Sequence, residues 1–244
     1  PVSHFGDGRG DLVLYQTIID RLKHGEDYYP VVADELRRGG YALRPVLNFR
    51  LPTLATLIAV LPSVAALVLL RVLAAAVVLA WVSRLRQAGL RMPHAILAGV
   101  VVATGVGLAF NDSALVWHEM WAGLLIALSL AVHGKRTWGW SVALGLCAVL
   151  VRELALPLPL IMMALAARER RFMEAGAWLG VVVAFGAAMA VHMTIAAQQL
   201  VASDPVNGWT AVGGWSFILS TAKWNLLLAA APMWMNAALV PCAV

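Results

Sequence analysis

Runs of apolar residues close to the length of a membrane span alternate along this chain with short polar punctuation. A helix needs about 20 apolar residues to cross a hydrocarbon core of ~30 Å. Seven stretches qualify as candidate spans, at 51–82, 94–110, 119–133, 138–151, 154–167, 174–195 and 216–240. The first is too long for one simple crossing and contains Pro52, Pro62 and Arg71, so it is either one tilted helix or a surface piece broken at Pro62 and followed by a span. Three central stretches are short, which predicts tilt or shielding by neighbours.

The first fifty residues read differently. In DLVLYQTIIDRLKHG, Leu12, Tyr15, Ile18, Ile19 and Leu22 recur at helical spacing, while Gln16, Asp20 and Lys23 fall elsewhere and Gly25 supplies a stop. In DYYPVVADELRRGG, Pro30 suits a first turn and Gly39-Gly40 end the helix. Two short amphipathic helices lying on the outer membrane surface are expected. The predicted fold class is therefore an all-α polytopic membrane protein. Residues 1–50 form an outer loop and 51–244 a transmembrane bundle of about seven spans. A chain opening at Pro1 and ending within an apolar run is expected to be a fragment truncated at both ends.

Composition agrees with this pattern: 61% of residues are hydrophobic and 13% charged, and the mean hydropathy is +0.81. A water-soluble globular enzyme is excluded. The net charge of +5 does not form a nucleic-acid-binding face, because the basic residues lie in short clusters between apolar runs. Arg84, Arg86, Arg91, Lys135, Arg136, Arg168, Arg170 and Arg171 occupy alternate connections, against Arg152 alone in the others. By the positive-inside rule those eight face the cytoplasm. Residues 1–50, with seven Lys+Arg balanced by seven Asp+Glu, then lie outside with Asp112, Glu119, Arg152, Glu153 and Asp204. A multi-pass protein of a bacterial inner membrane, its site facing the periplasm, is the expected setting.

Charges so near membrane depth mark substrate paths or need partners, since desolvating them costs a few kcal/mol. On that ground Glu119, Arg152 and Glu153 are candidate substrate-binding residues, with Glu153 expected to orient Arg152 and His118 expected to assist Glu119. Their alternative role is to mark turns in hydrated surface. Asp11 follows Gly10 and opens a helix, so capping competes with catalysis for its carboxylate. The six histidines show no metal-ligand spacing, and the cysteines, Cys147 and Cys242, sit in apolar stretches. Trp81, Trp117, Trp138, Trp140, Trp209 and Trp215 suit interfacial anchoring; Trp117 and Trp121 could also stack on a sugar. P-loop, GxSxG and dinucleotide motifs are absent.

GDLVLYQTIIDRLKHGEDYYP followed by YALRPVLNFRLPTLA resembles the first outer loop of polyprenol-phosphate mannosyltransferase-like members of the GT-C superfamily of membrane glycosyltransferases. The resemblance covers about residues 6–55 and implies a GT-C-like helix bundle. It puts Asp11 in the catalytic-base position with Asp7 as second candidate, and Tyr15 and Arg50 in the substrate-binding stretch. VRELALPLPL is similar to the outer helix end where such enzymes place a cation for the lipid phosphate, which falls on Arg152. The implied partners are a polyprenyl-phosphate sugar donor, membrane lipids and a glycan, lipid or protein acceptor. The paired acidic signature of some branches is missing, since Asp7 and Asp11 are four apart. Polyprenyl phosphate leaves without protonation, so one base and one cation suffice, and direct displacement inverts the anomeric centre. A divalent cation could help neutralise phosphate, although no ligand cluster in the sequence indicates one. The competing class is a non-catalytic transporter or lipid carrier, which should show repeats or broken helices in both halves.

Overall fold

A computed structural model describes residues 10–206 together with 230, 232, 234 and 235. Among these residues the secondary structure is helical, with one isolated β-bridge between Arg44 and Val206 and no strand. The helices are α1 (Asp11–Lys23), α2 (Tyr28–Arg38), α3 (Thr53–Val60), α4 (Ser63–Gln87), α5 (Met92–Val106), α6 (His118–Val132), α7 (Trp138–Val151), α8 (Pro157–Arg168) and α9 (Phe172–Ala197).

Their boundaries follow local chemistry. Gly25 adopts φ +87° after α1, a conformation that favours glycine, and Gly40 adopts φ +69° after α2. Pro62 cannot continue α3, so 51–82 divides there and the long α4 begins at Ser63. The stretch expected at 138–151 is α7 with the same limits, while the one at 216–240 lies almost wholly outside the described residues.

Three segments are long and apolar enough to cross a membrane: Ser63–Gln87, Met92–Phe110 and Phe172–Ala197. The described residues are thus all-helical, with three helices whose length and apolar composition are consistent with a membrane protein. Helices α6, α7 and α8, of 15, 14 and 12 residues, extend only about 18–22 Å at 1.5 Å per residue. Neighbours shield α6 and α7, which pack on each other and on α4 and α9, whereas α8 packs on α9 along one side and leaves Leu160, Ile161 and Leu165 exposed. Ser129 of α6 donates to the Ser141 carbonyl of α7 at 2.8 Å, so both buried hydroxyls are satisfied inside the bundle. On α4, Ala66, Leu70, Ala74 and Val77 form the buried stripe, while Val64, Val72 and Leu79 stand exposed, as lipid-facing residues should.

Helices α1 and α2 depart from the expected membrane-surface position. The stripe of α1, which also includes Leu14, is covered by α2, α3 and the 112–116 turn, and Ile19 joins Leu54, Ile58 and Val116 in one core. Protein rather than lipid therefore receives this apolar face. The acidic and basic residues of the loop largely neutralise one another: Arg21 binds Glu26, Asp34 and Glu35, and Arg38 binds Asp34 and Glu35. Beyond α9, Asp204 accepts two hydrogen bonds from Arg37, at 2.8 and 2.9 Å. Residues 201–206 are thereby fastened to α2.

Tryptophan usage is more internal than interfacial anchoring predicts. Trp178 is fully buried, Trp121 is buried with its indole N–H donating to the Leu115 carbonyl at 2.8 Å, and Trp81 donates to the Ala127 carbonyl at 3.1 Å. A ring enclosed as Trp121 is cannot stack on a sugar, which corrects that expectation. Trp140, with 71% of its surface exposed, fits an interfacial anchor. Trp209 and Trp215 lie outside the described residues.

Candidate functional site

The five-residue connection between α7 and α8, longer than the α3–α4 and α8–α9 connections and so not the tightest in the bundle, sets the geometry of the candidate site. Helix α7 ends at Val151, Arg152 is extended (φ −149°, ψ 124°), a single 3-10 turn spans Glu153–Ala155, and Pro157 starts α8. Successive side chains on extended backbone point to opposite sides. Arg152 therefore reaches Glu119 in the first turn of α6, whereas Glu153 reaches Arg50 on the approach to α3. Glu153 does not orient Arg152, contrary to the expectation from their adjacency; each belongs to a separate ion pair.

The two pairs differ in enclosure. The side chains of Arg50 and Glu153 are 21% and 16% exposed, while Glu119 is 53% exposed against 14% for Arg152. An incoming anion could thus replace Glu119 on Arg152 and let that carboxylate return to water, whereas the Arg50–Glu153 pair is built in. The Arg50 backbone is itself held, its carbonyl accepting from the Tyr28 hydroxyl at 2.7 Å.

Around Arg50 the N-terminal helices α1 and α2 meet the rest of the bundle. Tyr15, one turn along α1 from Asp11, lies against His118 with ring centroids 5.0 Å apart at 57°. Burial pushes the Tyr15 phenol above its ordinary pKa, with the Arg50 charge opposing and those of Asp11 and Glu119 adding to the rise. His118 is buried, and its Nε2 has no hydrogen-bond partner among the described residues. Tyr15, Tyr28, Asn48, Arg50 and His118 help line a cavity of about 20 Å³, room for roughly one water. A sugar cannot enter it, so these residues support the site from beneath.

Asp11 stands one helical turn before Tyr15, at the start of α1. Gly10 holds the N-cap position, Asp11 is the first helical residue, and no side-chain cap bond forms. Its carboxylate accepts instead from the Tyr41 hydroxyl at 3.0 Å and is exposed. This corrects the capping role; an acid in a first turn is still favoured by the helix dipole. Asp7 lies outside the described residues. Glu119 also borders an apolar groove of about 360 Å³ between α5 and α6, lined by Val106, Leu108, Trp117, Met120 and Leu124.

The structure thus gathers Tyr15, Arg50, His118, Glu119, Arg152 and Glu153 at one end of the bundle, with Asp11 beside them. Sequence reading missed Tyr28, Tyr41 and the buried His192, whose ring contacts the Tyr29 hydroxyl at 3.2 Å and the Phe49 carbonyl at 3.0 Å. The only signal was the aromatic richness of DYYP and YALRP, which does not reveal contacts across 22 to 163 positions. No group of three or more His, Cys, Asp or Glu able to hold a metal occurs among the described residues. No family model, curated protein or solved structure matches the chain.

Proposed function

We propose that this protein is a GT-C-type membrane glycosyltransferase that moves a sugar from a polyprenyl phosphate to a glycan, lipid or protein acceptor at the outer face of a bacterial inner membrane. The observation that supports this reading is the gathering, at one end of an apolar helical bundle, of a cation with a displaceable partner (Arg152) and an apolar groove bordered by that partner (Glu119), with an exposed carboxylate (Asp11) one helical turn from Tyr15, which packs on His118 next to Glu119. In the reaction, the acceptor hydroxyl oxygen attacks the anomeric carbon as Asp11 takes its proton. The bond from that carbon to the phosphate oxygen breaks with inversion, and the leaving phosphate carries the electron pair toward Arg152. The groove would take the first isoprenoid units of the donor. Arg50, Tyr15, His118 and Glu153 act as positioning residues.

Asp11→Asn is the decisive variant. Asparagine keeps an oxygen to accept from Tyr41 but cannot take up the hydroxyl proton. Transfer from a polyprenyl-phosphate sugar should fall by ~10²–10⁴-fold with melting temperature and donor binding nearly unchanged, whereas Arg152→Ala should lose donor binding. A near-normal transfer rate in Asp11→Asn would remove the base from this site, and donor affinity unchanged in Arg152→Ala would make that arginine a turn residue. If no polyprenyl-linked donor binds the wild-type chain, the transporter or lipid-carrier reading replaces this one.

A further inference from the structure

A second cluster of polar residues lies at the opposite end of α6, about 22 Å from Glu119 along a 15-residue helix. There the last turns of α4, the end of α6 and the connection 133–137 enclose a cleft of about 600 Å³, lined by Ser83, Arg84, Gln87, Lys135, Arg136 and Thr137 among others. Its walls are fixed. Trp81 ties α4 to α6 through the Ala127 carbonyl, the Thr137 hydroxyl donates to the Val132 carbonyl at 2.6 Å, and the Trp138 N–H donates to the Gly134 carbonyl at 2.9 Å. The Arg84 guanidinium lies over Gly134, its Nη1 3.9 Å from where a Cβ would stand.

The charge in this cleft is uncompensated. Among the described residues, Arg84, Lys135 and Arg136 form no ion pair. The nearby acids of the α8–α9 turn are engaged elsewhere: Glu169 by Arg171, and the buried Glu174 by both Arg171 and His133. Three like charges around one concavity repel one another until an anion enters. Two further features set the depth of that anion. The exposed Trp140 stands on the first turn of α7, three residues beyond Thr137 of the cleft, as a ring at headgroup level would, and Leu79, 70% exposed, lies one helical turn from Ser83 toward the middle of α4. A phosphate held by the three cations would therefore have its attached chains running onto an exposed apolar wall.

We propose that this cleft binds the phosphodiester headgroup of an anionic phospholipid. Arg84 supplies a planar fork of donors, Lys135 and Arg136 supply further charge, and the acyl chains lie along Leu79 and the exposed face of α4. The site does not depend on the transferase reading.

The test is native mass spectrometry of the full chain, released from micelles containing equal amounts of phosphatidylglycerol and phosphatidylcholine. The wild type should retain phosphatidylglycerol in preference, and the triple variant Arg84→Gln/Lys135→Gln/Arg136→Gln should lose that preference by at least about tenfold, at roughly one interfacial charge's contribution per residue removed. Arg86→Gln, a basic residue on the same helix that does not line the cleft, should keep it. If the triple variant does not fold, Lys135→Gln and Arg136→Gln singly should each reduce the preference several-fold, since both side chains project from a turn held by backbone bonds. Equal retention of the two lipids by the wild type, or an unchanged preference in the folded variants, would overturn the proposal. Displacement of the lipid by millimolar inorganic phosphate would overturn it in favour of a soluble ligand.

Discussion

Asp204 and Arg152 show what neighbours in space do to single charges. Asp204 is buried, accepts a two-pronged interaction from Arg37 and also accepts the Val201 N–H at 2.8 Å. The hydrogen bonds from Arg37, reinforced by the Val201 N–H, hold its carboxyl down to about 2. A carboxyl whose pKa is depressed by folding stabilises the fold above its unfolded value, near 4, and that contribution disappears as pH falls toward 2. Asp204→Asn should therefore melt below the wild type at pH 7, and the gap should close as pH is lowered from about 4 to 2. A gap independent of pH across that window, followed by circular dichroism in detergent, would mean that the pair contributes nothing specific. Arg152 and Glu153 teach the complementary lesson. Adjacent in sequence, they serve different partners because the backbone between two helices is extended there.

Elements pack by shape, and at Gly145 helix α7 leaves no room for a side chain against Trp178 of α9. A Cβ added there would stand 2.5 Å from Cζ3 and 2.9 Å from Cη2 of Trp178, whose ring is wholly enclosed and has nowhere to move. Gly145→Ala should cost about 1–3 kcal/mol by overpacking and lower the melting temperature. Gly180→Ala on the same α9, where a Cβ meets nothing within 4 Å, should be neutral or slightly stabilising through helix propensity. Equal melting temperatures for the two variants would show that α7 and α9 do not meet as described. The same logic explains why α6 and α7 can be short: Ser129 and Ser141 satisfy each other between them and their small residues Ala131, Gly145 and Ala148 are buried, so their length need not match the bilayer.

Across the whole molecule, charge separates by end. Arg84, Lys135 and Arg136 share one cleft, and His133 and Arg171 meet through Glu174, so three alternate connections converge. At the other end Arg50, Glu119, Arg152 and Glu153 gather, and the exposed Ser203 lies in the segment that Asp204 ties to α2. Single cysteines at Ser203 and Gln87, in a background lacking Cys147 and Cys242, should react with an impermeant maleimide from opposite sides of sealed vesicles. Reaction of both from one side would reject the orientation drawn from the basic residues and, with it, an outward-facing site.

The periodicity of apolar residues determined where helices α1, α2 and α5–α9 run to within a few residues, because membrane and amphipathic helices are specified by local spacing and by Gly and Pro at their ends, but it left open whether 51–82 breaks at Pro62 to give α3 and α4. The distribution of charge showed that the basic connections alternate and picked out His118, Glu119, Arg152 and Glu153, and the family resemblance added Tyr15 and Arg50. What it could not decide was pairing. Hydrogen bonds such as Tyr28 to the Arg50 carbonyl, Tyr41 to Asp11 and Tyr29 to His192 join positions far apart in the chain, and no local rule encodes such distances. The partner of Arg152, the burial of Trp121 and Trp178, and the docking of α1 against protein rather than lipid were likewise settled only by tertiary packing. Burial depends on which other element arrives at a face, and that is a property of the assembled bundle rather than of any one segment.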